Sequence, residues 1–221
     1  MTDSRTTVRL THGKVDLALH RLRDGDGPRP LLVLHGLGEE SPTTVPTNLD
    51  PWTGPVWALD FTGHGLSSVP RGGGYTAEVL MGDVDAALSH LGEVTVYGRG
   101  LGAYVALLIA GARPALVHGA ILDDGPGLAG GGPTPPSAAL IRLESGEEVA
   151  PDPWALVELS QDVRPPDYAV GFARQATQFG SLDPCLSIAA LVRPAWLVAV
   201  VDEYGAVTEK VPDALRRYAA G

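Results

Sequence analysis

The chain has 221 residues, enough for one sizeable domain that would bury ~70% of the surface its unfolded chain exposes. Acidic residues number 26 and basic residues 16, a formal charge of −10, which argues against a nucleic-acid partner or an anionic membrane surface, since both need a positive field. Cys185 is the only cysteine, so no disulfide framework can form within the chain. The first residues lack the apolar core of a signal peptide, and no apolar run approaches the length of a bilayer span. The expectation is a cytoplasmic, single-domain protein spanning 1–221.

The alternating runs 8–10 and 15–19 flank Thr11-His12-Gly13-Lys14 and predict an N-terminal β-hairpin. Continuous apolar runs at 31–34, 56–59, 93–97, 120–122 and 195–201 predict strands buried on both faces. Helical periodicity with Thr76 as N-cap predicts a helix over 76–91, and 102–112 predicts a second, apolar nearly all round. Shorter helices are expected at 153–160, 166–179 and 184–191, each opening near a proline, and a last amphipathic one at 208–220. The glycine- and proline-rich segment 125–136 reads as a loop. Strands alternating with helices imply an α/β domain, with a mostly parallel sheet, helices on both faces and an antiparallel leading hairpin. Residues 125–192, without a strong strand run, read as a cap-like insertion.

Ligands of open parallel sheets bind beyond the carboxyl ends of the strands. The first parallel strand ends in His35-Gly36-Leu37-Gly38. The second ends in Asp60-Phe61-Thr62-Gly63-His64-Gly65-Leu66-Ser67, and the third in Gly98-Arg99-Gly100-Leu101-Gly102. The run 195–201 ends in Asp202-Glu203.

Together these motifs resemble the α/β-hydrolase superfamily over roughly residues 8–203. The resemblance implies an oxyanion hole built from the His35-Gly36-Leu37 loop and the N–H of Leu101, a nucleophile at position 100, and an acid at Asp124, Asp202 or Glu203. His64 and Arg99 would lie near the pocket. The nucleophile elbow of the family reads Gly-x-Ser-x-Gly. Here its centre is Gly100, which has no side chain to form an acyl-enzyme. The family's triad runs in the order nucleophile, acid, histidine, yet none of the six histidines lies beyond His118.

Ser67, Ser68 and Cys185 carry no activation signature, and no spacing suits a metal. The expectation is therefore a fold of hydrolase type without Ser-His-acid chemistry and without cofactor. It would bind a small molecule or a protein partner in a remnant pocket lined by Leu37, Gly100 and Leu101. Trp154, Tyr168, Phe172 and Phe179 would form the underside of a helical cap. Two alternatives stand beside it. One is a hydrolase or lyase in which Asp124 or His35 activates water. The other is a dinucleotide-binding domain using Gly98-x-Gly100-x-x-Ala103.

Overall fold

The structure, a computed structural model, describes residues 6–134, 150–203 and 205–220. Strands β1 (Thr6–His12) and β2 (Val15–Arg23) form the expected antiparallel hairpin, with Thr6 opposite Arg21 and His12 opposite Val15. β2 then pairs antiparallel with β4 (Val56–Asp60). From β4 onward the sheet is parallel, through β3 (Leu31–Leu34), β5 (Val94–Arg99), β6 (Val117–Asp123), β7 (Leu186–Ile188) and β8 (Ala206–Thr208). The strand order is β1-β2-β4-β3-β5-β6-β7-β8. The chain leaves β3 toward one edge of the sheet and leaves β5 toward the other. The crevice between the carboxyl ends of β3 and β5 is therefore the topological switch point.

Helices cover both faces. A single 3-10 turn, Thr47–Leu49, and the last helix pack against Val33, Tyr97 and Ile121 on one face. The other face carries α1 (Ala77–Leu91), α2 (Leu101–Ala112), α4 (Pro166–Phe179) and α5 (Ala195–Val201). Thr76 caps α1 by accepting a hydrogen bond from the Val79 N–H at 3.3 Å. Every residue of α2 from Leu101 to Gly111 is buried, because the helix is sandwiched between the sheet and α1 and α4. The helix α3 (Pro153–Gln161), capped by Asp152, lies over the loops that follow β3 and β4: Leu156 reaches Gly38, and the Asp152 N–H bonds the Gly63 carbonyl at 2.9 Å. The last helix, α6, is Val211–Ala220.

Two expectations are corrected. The run 195–201 is not a strand but helix α5, whose buried residues Trp196, Leu197 and Val200 recur at helical spacing while Val198 is exposed. A short apolar run is compatible with either state, and Pro194 at the N-cap starts the helix here. The expected helix 184–191 is instead strand β7, central enough that Leu186, Ser187 and Ile188 are all fully buried. The sheet thus resumes inside the span 125–192. Within that span α4 packs against α2 and α5, so it covers a face of the sheet rather than a pocket. Phe172 lies against Gly111 of α2, and Tyr168 and Phe179 are exposed. Residues 135 and 136 of the expected loop lie outside the described residues.

Asp60, at the end of β4, anchors the loops around the switch point. It is fully buried and accepts hydrogen bonds from the Ser41 N–H (2.7 Å), the Leu66 N–H (2.8 Å) and His20 Nε2 (2.9 Å). Burial pushes this carboxyl up, but the bonds from His20, Leu66 and Ser41 outweigh it and hold the group well below the usual carboxylate range. Asp60→Ala strands all three donors and is expected to cost about 3–5 kcal/mol in urea denaturation. Because the folded-state pKa lies below the unfolded one, Asp60 contributes its stability above pH ~4. That contribution is lost as pH falls further, and acid unfolding of the variant should show a correspondingly weaker pH dependence.

Candidate functional site

β5 passes into α2 through a sharp elbow at Gly100, with φ 58° and ψ −121°. A positive φ of this kind strains any residue with a side chain. Gly98 and Gly102 let strand and helix close on each other: a Cβ on Gly98 would stand 2.1 Å from the Gly102 carbonyl oxygen. One on Gly102 would stand 2.5 Å from the Leu34 oxygen. The elbow thus brings strand and helix into close contact with Gly100 at its apex.

The His35-Gly36-Leu37 loop lies alongside, with the Gly102 N–H donating to the His35 carbonyl at 3.1 Å. The N–H groups of Leu37 and Leu101 converge, and a single acceptor takes both. It is the backbone carbonyl oxygen of Pro126, at 3.0 Å from Leu37 N and 2.8 Å from Leu101 N. Pro126 belongs to the loop after β6, which folds back over the elbow. A Cβ built on Gly100 would meet that same oxygen at 2.1 Å and the Gly125 carbonyl carbon at 2.6 Å. The loop is clamped from behind. The buried Arg164 guanidinium donates to the Gly127 and Leu128 carbonyls, both at 2.6 Å, and Trp196 Nε1 donates to Leu128 at 2.9 Å. The space above Gly100, Leu37 and Leu101, expected to be a pocket, is filled by the chain itself. The same backbone blocks the approach of a pyrophosphate to Gly98-x-Gly100.

The two histidines are committed to the loops. His35 accepts from the Phe61 N–H at Nε2 (3.1 Å), so its Nδ1 carries the proton donated to the Gly36 carbonyl at 2.8 Å. Burial and the neighbouring His64 push His35 down to about 4. His64 accepts from the Gly38 N–H at Nε2 (3.3 Å) and donates from Nδ1 to the Thr62 carbonyl (3.1 Å); burial lowers it too. Both imidazoles are neutral, with no lone pair left for a water.

The remaining expected groups are dispersed. Both Asp124 oxygens accept backbone N–H groups, from Leu191 (2.7 Å) and Val192 (3.0 Å). Asp202 and Glu203 follow α5, which returns the chain to the amino edge of the sheet. Glu203 pairs there with Arg174 at 2.9 Å, at the opposite end from Gly100. Ser67 Oγ donates to the Asp60 carbonyl (2.6 Å) and accepts from the Ala18 N–H (2.9 Å), while Ser68 accepts from Asp16. Cys185 is buried, and burial pushes its thiol up.

Arg99 points to the sheet face opposite α2, where it forms an ion pair with Glu39. It lines a cleft of about 640 Å³ at the switch point, together with Val33, Glu40, Asn48, Tyr97 and Asp123. Of these residues, only Arg99 is a candidate from the sequence motifs. Strand alternation does place Tyr97, Arg99 and Asp123 on one face, and that is the signal that points to them. Among the described residues, no group of three or more His, Cys, Asp or Glu could hold a metal ion, and no helix is long and apolar enough to cross a membrane.

The chain belongs to the α/β-hydrolase fold family, whose model matches residues 29–199. Among solved structures it is similar to the thioesterase domain from the curacin biosynthetic pathway, with 16% identity and a TM-score of 0.60, covering 99% of this chain and 98% of that one. It is also similar to a membrane phospholipase A described as a bacterial virulence factor, with 17% identity and a TM-score of 0.50, covering 97% and 82%. An epoxide hydrolase from Vigna radiata matches at 20% identity and a TM-score of 0.45, covering 56% of this chain and 39% of that enzyme. No curated protein matches the chain in sequence.

Two outcomes test this geometry. Gly100→Ser drives its side chain into Pro126 at a left-handed φ. It is expected to destabilise the fold by about 2–4 kcal/mol in urea denaturation. His35 has a folded pKa of about 4 against ~6.5 unfolded, so its neutral form stabilises the fold fully above pH ~6.5. That stability is lost as pH falls toward 4. His35→Gln should flatten the decline in melting temperature between pH 7 and pH 4.5.

Proposed function

We propose that this chain is a non-hydrolytic member of its family, which has exchanged acyl chemistry for binding of a small molecule at the switch-point cleft. The observation that carries this reading is the Pro126 carbonyl, which takes both N–H groups of the oxyanion hole directly over Gly100. A carbonyl substrate would need that position, and a nucleophile would need the space that Gly125 and Pro126 fill. The other two triad positions support the same reading. β7 is followed by Ala189-Ala190-Leu191-Val192, without a carboxylate. β8 is followed by Glu209, which is paired with Arg217 and accepts from Ser187 at 2.8 Å.

The pocket that replaces the old one has the size of a small-ligand site. A cytoplasmic setting suits a chain whose one thiol is buried and unpaired.

Purified protein is expected to hydrolyse p-nitrophenyl acetate no faster than its His35→Gln variant or a buffer blank. It should also take up no fluorophosphonate probe at any serine. Stoichiometric labelling of one serine would overturn the proposal.

A further inference from the structure

The cleft at the switch point has a charge and a shape that define its ligand more closely. One wall is apolar, built from Val33, Pro42 and Pro46, and the buried Tyr97 ring forms its floor. The rim carries four carboxylates, Glu39, Glu40, Asp123 and Asp124, against one guanidinium, Arg99. His35 also lines the space but is neutral, as its ring hydrogen bonds require.

These charges are unequally compensated. Glu39 is neutralised by Arg99 and also accepts from the Gly36 N–H at 2.9 Å. Asp124 is held by two backbone N–H groups. Among the described residues Asp123 has only uncharged partners, the Tyr97 hydroxyl at 2.7 Å and the Asp124 N–H at 2.9 Å, so each of its oxygens keeps acceptor capacity. Tyr97 is itself fixed by Asn48 Nδ2 at 3.3 Å, which holds the carboxylate in place before any ligand arrives. Glu40 is exposed, and no described residue bonds or pairs with its carboxylate.

A low-dielectric cleft lined mainly by one sign of charge focuses its field on an entering ion. The net charge of −10 strengthens the attraction at long range. The cation is not a metal, because no three carboxylates or histidines among the described residues stand close enough to ligate one. A volume of about 640 Å³ with an apolar wall instead suits an organic cation.

We infer that the cleft between β3, β5 and β6 binds a primary ammonium compound with an apolar body, its ammonium held between Asp123 and Glu40 and its body against Val33, Pro42 and Pro46. This rests on the reading of the cleft as the binding site, and it adds the chemical class of the ligand.

The test is calorimetric titration of the full chain with phenethylammonium chloride, alongside the matched neutral and anionic probes phenethyl alcohol and 3-phenylpropanoate. The amine should bind saturably with one site, the alcohol at least ~10-fold more weakly, and the carboxylate not at all. Asp123→Asn, which keeps an acceptor for Tyr97, and Glu40→Gln, which changes an exposed side chain with no partner among the described residues, should each weaken the amine by roughly 5-fold or more. If Asp123→Asn does not fold, Glu40→Gln alone decides. Absence of saturable amine binding, equal binding of the anion, or full amine affinity in the Glu40→Gln chain would overturn the inference. None of those results bears on fluorophosphonate labelling, so the non-hydrolytic reading stands or falls separately.

Discussion

Two backbone N–H groups, from Leu37 and Leu101, point at one place, and the chain supplies their acceptor itself. That constraint organises the upper end of the molecule. In a fold of this family two convergent donors are left open for substrate. Here the Pro126 carbonyl satisfies them, so buried backbone donors that would otherwise need water or ligand are paired internally. Gly100 is part of the same arrangement rather than a separate change. With Gly125 and Pro126 seated on the elbow, no side chain fits at position 100, and with no side chain there the loop can seat. The clamp by Arg164 and Trp196 holds this state from the other side.

The loops that present those donors are held by buried polar groups as well as by the apolar packing of Leu37 and Leu101. Asp60 ties the segments around Ser41 and Leu66 to His20, and His35 and His64 brace one another's loops through backbone bonds. Asp83 does the same for Thr62, accepting from its N–H at 2.8 Å and its hydroxyl at 2.9 Å. Helix α3 is fastened by three more carboxylates. Asp152 accepts from the Tyr75 hydroxyl, Glu158 from the Gly74 and Tyr75 N–H groups, and Asp162 from the Ala77 N–H. Buried networks of this kind are costly when half made and rigid when complete. These histidines and aspartates serve as fasteners, and their lowered or raised proton affinities follow from that burial and bonding.

How much of this was legible in the sequence depended on what each feature is made of. The hairpin, the strands at 31–34, 56–59 and 94–99, and the elbow were readable because period and glycine spacing act locally. Two elements were exchanged for a physical reason. β7 is only three residues long, with Ser187 at its centre, and its burial comes from β6, whose paired residues stand more than sixty positions earlier, and from β8, which follows it in the chain. α5 is an unbroken apolar heptapeptide, AWLVAVV, rich in the β-branched residues that favour strands, and tertiary packing made it a helix. With that exchange the acid expected after a strand moved to the far end of the sheet. At the site, the structure brings the His35-Gly36-Leu37 loop beside the Gly100-Leu101 elbow, and both motifs stand out by their glycines. Pro126 was not legible, because the group that matters is a carbonyl every residue possesses.

The closed elbow and the open cleft follow from the same topology. Chain reversal between β3 and β5 leaves a crevice at their carboxyl ends, and side-chain alternation divides it between the two sheet faces. Gly100 and Leu101 turn toward the α2 face, where the loop after β6 has filled the space. Tyr97, Arg99 and Asp123 turn toward the face of α6, where the short 3-10 turn Thr47–Leu49 also crosses and a cleft remains. An acceptor-rich cleft lying one strand residue away from two N–H groups that the Pro126 carbonyl closes needs no new scaffold. It uses the rigidity of the old one, because β5 fixes Tyr97 and Arg99 by the same hydrogen bonds that fix the elbow. A side chain on a central parallel strand loses little freedom when a ligand arrives, so less conformational entropy opposes binding there.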